Sequence, residues 1–194
     1  MIPLENLRQR VPAVLRLAAM SASLAITATT PARAQEAGVP HCATTKLEVE
    51  RLWCEAGAAF VQQDFARAIG PYSRALDLEK KERVLGRNAW LVLIDNLGMT
   101  YGITGDLAMA RAVFEYGISK APNYPLFYYN MACVYAESDD QAKSIDYLKR
   151  AFAFRKIMIP GETMPDPATD DSFQRFMNDK AFVTALKALP GRGR

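Results

Sequence analysis

Histidine is nearly absent from this 194-residue chain, which holds only His41, and cysteine is scarce at Cys42, Cys54 and Cys133. A single imidazole leaves almost no material for histidine-dependent nucleophilic or acid–base catalysis. No Cys-x-x-Cys pair is present for disulfide exchange. His41-Cys42 offers two ligands where a zinc site takes four. Glu162, Asp166, Asp170 and Asp171 lack the alternating spacing and closing bidentate glutamate of a calcium loop, and capping by Asp170 or Asp171 explains them more simply. No catalytic set, metal site or cofactor is therefore expected, and the chain is not read as an enzyme.

Charge is short as well, once the ends are separated. Arg8, Arg10 and Arg16 precede an apolar stretch over Leu17–Ala28, and Ala32-Arg33-Ala34 places small residues where a signal peptidase reads. Residues 1–34 are expected to be a secretory signal peptide cut after Ala34, with no stable membrane insertion of the mature chain. The apolar run falls short of the ~20 residues of a spanning helix. Removing it takes the basic side chains from 24 to 20 (Arg8, Arg10, Arg16, Arg33) and the acidic ones from 21 to 20 (Glu5). The formal charge of +3 thus belongs to the leader. A balanced remainder without a basic stripe gives nucleic-acid binding no electrostatic support. The expected place is periplasmic or secreted.

What the chain does have is a period. Ile94, Leu97, Gly98, Tyr101, Ala110, Phe114 and Gly117 return 34 residues later as Tyr128, Met131, Ala132, Tyr135, Ser144, Leu148 and Ala151; the next pair, Pro122 and Lys156, breaks the match. Spacings of 3, 1 and 3, then 4 and 3, put each set on one helical face. Thr104-Gly105-Asp106 between them ends one helix and caps the next. A weaker upstream copy runs through Gly57, Phe60, Asp64-Phe65, Ala68, Tyr72 and Ala75, and its Pro71 predicts a kink near Arg67–Pro71. Asn88 is expected to cap the helix holding Trp90, and Thr45 with Glu48 to form a capping box before Cys54.

This pattern resembles the tetratricopeptide repeat: a small residue at position eight, an aromatic at eleven, alanine at twenty and proline at thirty-two. The resemblance covers about residues 50–189, including a C-terminal segment, Asp166–Phe173 with Phe176 and Phe182, similar to the closing segment of bacterial members. It implies an all-α, right-handed superhelix of about three helix pairs (about 50–83, 91–124 and 125–156 within 45–156). A flexible leader at 35–44, a helical cap at 157–190 and a disordered tail at 191–194 complete the expected organisation.

The resemblance also implies a function, a protein–protein interaction module that holds a peptide or partner segment in its concave groove. By the family's groove positions the contacts would be Glu55, Val92, Asp95, Asn96, Met99, Leu126, Tyr129, Asn130 and Glu137. Asn96 and Asn130, 34 apart, each join a donor to an acceptor, as reading a peptide backbone requires; bridging between neighbouring helices is the competing role. The family's carboxylate clamp is absent, because Asp95 and Tyr129 stand where basic groups would be needed. The alternative function is a structural factor of an envelope assembly, acting by self-association or through the convex face.

Export would place the cysteines in an oxidising compartment, where three leave one unpaired within a chain. A Cys42–Cys54 bridge requires the leader to fold back along its helix. A Cys54–Cys133 bridge would join repeats that are not neighbours. Cys133 otherwise packs as a small apolar residue.

Overall fold

The computed structural model describes residues 47–191. The expected signal peptide and leader, Thr45, Cys42 of the possible bridge to Cys54, and the tail residues 192–194 lie outside them.

Six α-helices form three consecutive hairpins: α1 Glu48–Val61 with α2 Phe65–Lys81, α3 Arg87–Ile103 with α4 Leu107–Lys120, and α5 Pro125–Glu137 with α6 Gln141–Ala153. A 3-10 turn at Asp171–Phe176 and the short α7, Lys180–Lys187, close the chain. Among the described residues there is no strand. Within each hairpin the helices pack side by side, and each second helix packs on the first helix of the next pair. The first helices also meet one another, α1 with α3 and α3 with α5, whereas the second helices have no comparable mutual packing. That asymmetry bends the stack, with α1, α3 and α5 on the inner side.

One turn recurs between the helices of each hairpin. Gln63, Gly105 and Asp139 take positive φ (61°, 91° and 61°), and the following aspartate caps the next helix. Asp64 accepts from the Arg67 N–H at 3.2 Å, Asp106 from Met109 at 3.0 Å and Asp140 from Lys143 at 3.0 Å. The left-handed residue stops the first helix, and the carboxylate satisfies an N–H that the second would leave unpaired. Glycine fills this position only at Gly105.

The small residues of the repeat mark the closest approaches. A Cβ on Gly98 would strike the Phe114 ring, and one on Gly117 would lie 2.8 Å from both Ile94 Cγ2 and Phe127 Cε2. The third repeat answers the first of these with Ala132 and Leu148, a larger small residue and a smaller large one, both fully buried in one cluster.

Helices α3 and α5 are apolar on nearly every side. Ten of the thirteen residues of α5 and ten of the seventeen of α3 are buried, as befits rods with neighbours all round. Opposite sides of α5 serve different cores. Leu126, Phe127, Met131 and Val134 join the cluster of the first two hairpins, while Tyr128, Tyr129, Ala132 and Ala136 join that of α6 and the C-terminal cap.

Two local expectations, both of helix caps, are corrected. α3 begins at Arg87 with Gly86 as its cap residue, so Asn88 lies inside the first turn and caps nothing. α1 begins at Glu48 after Leu47, which makes no side-chain cap. Pro71, where the sequence predicts a kink, stands inside the helix that runs from Phe65 to Lys81, with its neighbour Tyr72 fully buried. Burial of Tyr72, Ala75 and Leu76 in the core holds the turn that proline weakens.

Candidate partner-binding surface

The inner helices position most of the predicted groove residues, but they do not leave them open. Val92 and Leu126 belong to the core. Asn96 is buried and donates its side-chain amide to the Tyr72 hydroxyl of α2 at 3.0 Å, while its main-chain carbonyl accepts from Thr100 Oγ1 at 2.6 Å. Asn130 is buried too and donates to Asp95 Oδ1 at 2.6 Å. The asparagine pair therefore bridges helices, from the second hairpin back to the first and from the third back to the second. Burial pushes the Tyr72 phenol far above its ordinary range, partly offset by the bond from Asn96, so it remains neutral and hydrogen-bonded.

The inner face of α5 is covered by the chain's own continuation. After α6 the segment 157–176 returns along α5. Ile159 is buried with the first core, Tyr124 Oη lies 2.8 Å from both carboxylate oxygens of Glu162, and Tyr129 donates to Asp170 Oδ2 at 2.9 Å. The Tyr129 ring meets Phe173 edge-on at 5.9 Å, and Arg175 reaches Glu137 at 2.9 Å. These contacts follow α5 from its start to its end. Tyr129 is thus sealed under the strap, where burial first and the nearby Cys133 and Asp170 next raise its phenol far out of its normal range. Cys133 is a free thiol on the same face, pushed well above its ordinary value by burial and then by Asp170. Asp170 also caps the 3-10 turn through the Ser172 N–H.

What stays accessible on the inner side is Glu55 on α1, paired with Arg51 at 2.7 Å, half-buried Met99 on α3, and Glu137 at the strap's edge. Ile103 is exposed at the end of α3. The predicted set is therefore divided. Glu55, Met99 and Glu137 face solvent at least in part, whereas Val92, Asp95, Asn96, Leu126, Tyr129 and Asn130 are internal. Arg51 and Arg175, which sequence reasoning passed over, complete the accessible charges; the i,i+4 spacing of Arg51 and Glu55 was the one available signal.

Among the described residues, no group of three or more histidines, cysteines or carboxylates is placed to hold a metal ion. Nor is any helix there long and apolar enough to cross a membrane.

Comparison with known proteins gives one finding. Residues 126–156, the third hairpin, match the family profile of the tetratricopeptide repeat. No curated protein and no solved structure matches the chain. Repeats of this family are generally non-catalytic units of protein–protein interaction, and the all-helical stack of paired helices agrees with that architecture.

Proposed function

We propose that this tetratricopeptide-repeat chain is an exported interaction module that takes a protein segment on the accessible part of its inner side and performs no covalent chemistry. The observation that carries the reading is the packing of first helix on first helix, which makes α1, α3 and α5 one continuous inner face. On that face the strap fills the α5 section, so the partner lies over α1 and α3, against the Arg51–Glu55 pair, Met99 and Ile103, with Glu137 and Arg175 at its boundary. Such a surface suits a short amphipathic segment: an apolar contact at Met99 and Ile103 with polar partners on either side. Export follows from the N-terminal charge and hydropathy pattern, and it accounts for a basic excess confined to residues 1–34.

The reading is tested by capture from the native cell with the variants Glu55→Lys and Met99→Glu. Loss of the captured protein, with helicity retained, supports it; unchanged capture by both variants overturns it. Sedimentation at rising concentration is expected to find a monomer, and mass analysis of the exported protein to find Gln35 at its start.

A further inference from the structure

A second, separate feature lies at the corner where the first hairpin passes into the second. The turn after α2 and the start of α3 face the end of α4 across a cleft of about 220 Å³. Three cations line it: Arg83 from the turn, Arg87 from the first turn of α3, and Lys120 from the last turn of α4. All three are exposed, and none is in an ion pair with a carboxylate among the described residues. Arg83 is instead stacked over the Trp90 ring at 4.7 Å, which holds its guanidinium plane against the wall. Trp90, Leu85, Leu91 and Ala121 supply the apolar surface.

The wall is fixed from behind. Glu79, buried on α2, accepts the N–H groups of Val84 and Leu85 at 2.9 and 2.8 Å and so clamps the turn that carries Arg83. No acid lines the cleft. Three like charges around one concavity are unfavourable unless solvent or an anion offsets them, so the cleft favours an anionic occupant.

We propose that this cleft binds a glutamate or aspartate side chain of an acidic peptide. The carboxylate meets Arg83, Arg87 and Lys120, and the methylenes lie on Leu85 and Ala121. Size decides the ligand class: ligand pockets for whole small molecules run from roughly 300 Å³ upward, so this one holds a side chain rather than a nucleotide or cofactor. The guanidinium fork matches a planar carboxylate, and the apolar walls favour a carboxylate carried on a short hydrocarbon. The inference goes beyond the inner-face reading, since the cleft lies at the end of α4 and at the turn between hairpins, and either can fail alone.

The test uses the full chain with Trp53→Phe, so that Trp90 alone reports by fluorescence, together with amide chemical shifts at 83–91 and 120–121. Three probes are titrated: the blocked tetrapeptide Gly-Glu-Glu-Gly, its Gly-Gln-Gln-Gly counterpart, and inorganic phosphate. The acidic peptide is expected to move these signals at least about tenfold more tightly than the glutamine peptide, as a charge-assisted contact requires. Its binding should weaken as salt shortens the screening length. Arg87→Glu and Lys120→Glu, at exposed positions, should each abolish the response with the circular dichroism spectrum unchanged. Equal response to both peptides, no response to the acidic one, or a response to phosphate alone would overturn the proposal, the last by assigning the cleft to a free oxyanion.

Discussion

Asn130 donates to Asp95 across 2.6 Å, tying the inner helix of the third hairpin to that of the second through two buried side chains 35 positions apart. In the interior a carboxylate deprived of such a donor loses more than the net value of one bond, because its own desolvation is then less fully compensated. Asn130→Ala is therefore expected to lower stability by about 1–3 kcal/mol. Urea unfolding followed by circular dichroism measures it, and a loss below about 0.5 kcal/mol, the ordinary range of a surface change, would contradict the bridging role.

The contact of Gly98 with Phe114 leads to a cycle of two substitutions. Gly98→Ala drives a methyl into the ring and is expected to cost about 1–3 kcal/mol. Phe114→Leu removes the obstructing edge, and the double variant reproduces the pair found at Ala132 and Leu148. Together they should lose less than the sum of the single losses, with a coupling of about 0.5–3 kcal/mol. Strict additivity in thermal or urea unfolding would contradict the packing described.

Ser144 stands fully buried where the repeat has alanine, and its hydroxyl has no hydrogen-bond partner among the described residues. Ser144→Ala removes an unsatisfied polar group without adding volume, and alanine is also the better helix former. The variant should unfold at higher temperature, by roughly 1 kcal/mol or more of added stability. A lower melting temperature would show that the hydroxyl is in fact bonded.

What could be read from the residues beforehand was whatever depends on near neighbours in sequence. Period, caps and small positions are local or recur at a fixed step, so Gly98, Gly105, Asp106 and Gly117 announced the helix pairs. Of the three aspartate caps only Asp106 is read as one from the sequence; Asp64 and Asp140 take the same place in their own hairpins. The left-handed turn residues at 63 and 139 did not show, since glutamine and aspartate there carry no glycine mark. The inner face misled for a different reason. Position in the repeat states which way a side chain points, not what later covers it. The partners of Tyr124 and Tyr129 are Glu162 and Asp170, 38 and 41 residues on, in a stretch whose prolines and irregular spacing give no period to follow. For the asparagines both readings were open until their partners, Tyr72 and Asp95, could be located.

Acid should loosen the end of the chain early. Asp179 accepts from the Gln141 side chain and from the N–H groups of Phe182 and Ala181, and these bonds hold its carboxyl below the ordinary range. Its folded-state value is depressed, so its stabilising effect is present above the unfolded value of about 4 and is lost as pH falls through the folded one. Asp140, held low by Lys143, weakens the start of α6 in the same window. Amide protection of α6 and α7, relative to the unfolded chain at the same pH, is expected to fall before that of α3 as pH drops below about 4. Simultaneous loss of protection everywhere would argue that neither cap matters.

The most direct test of the interaction reading is site-specific photocrosslinking in the native cell. A photoreactive side chain at Glu55 or Met99 on the inner side should yield one discrete adduct with another protein, and the same group at Arg111 on the outer helix α4 should yield none. Adducts formed only from position 111, or from none of the three, would contradict the claim that partners are held on the face made by α1 and α3.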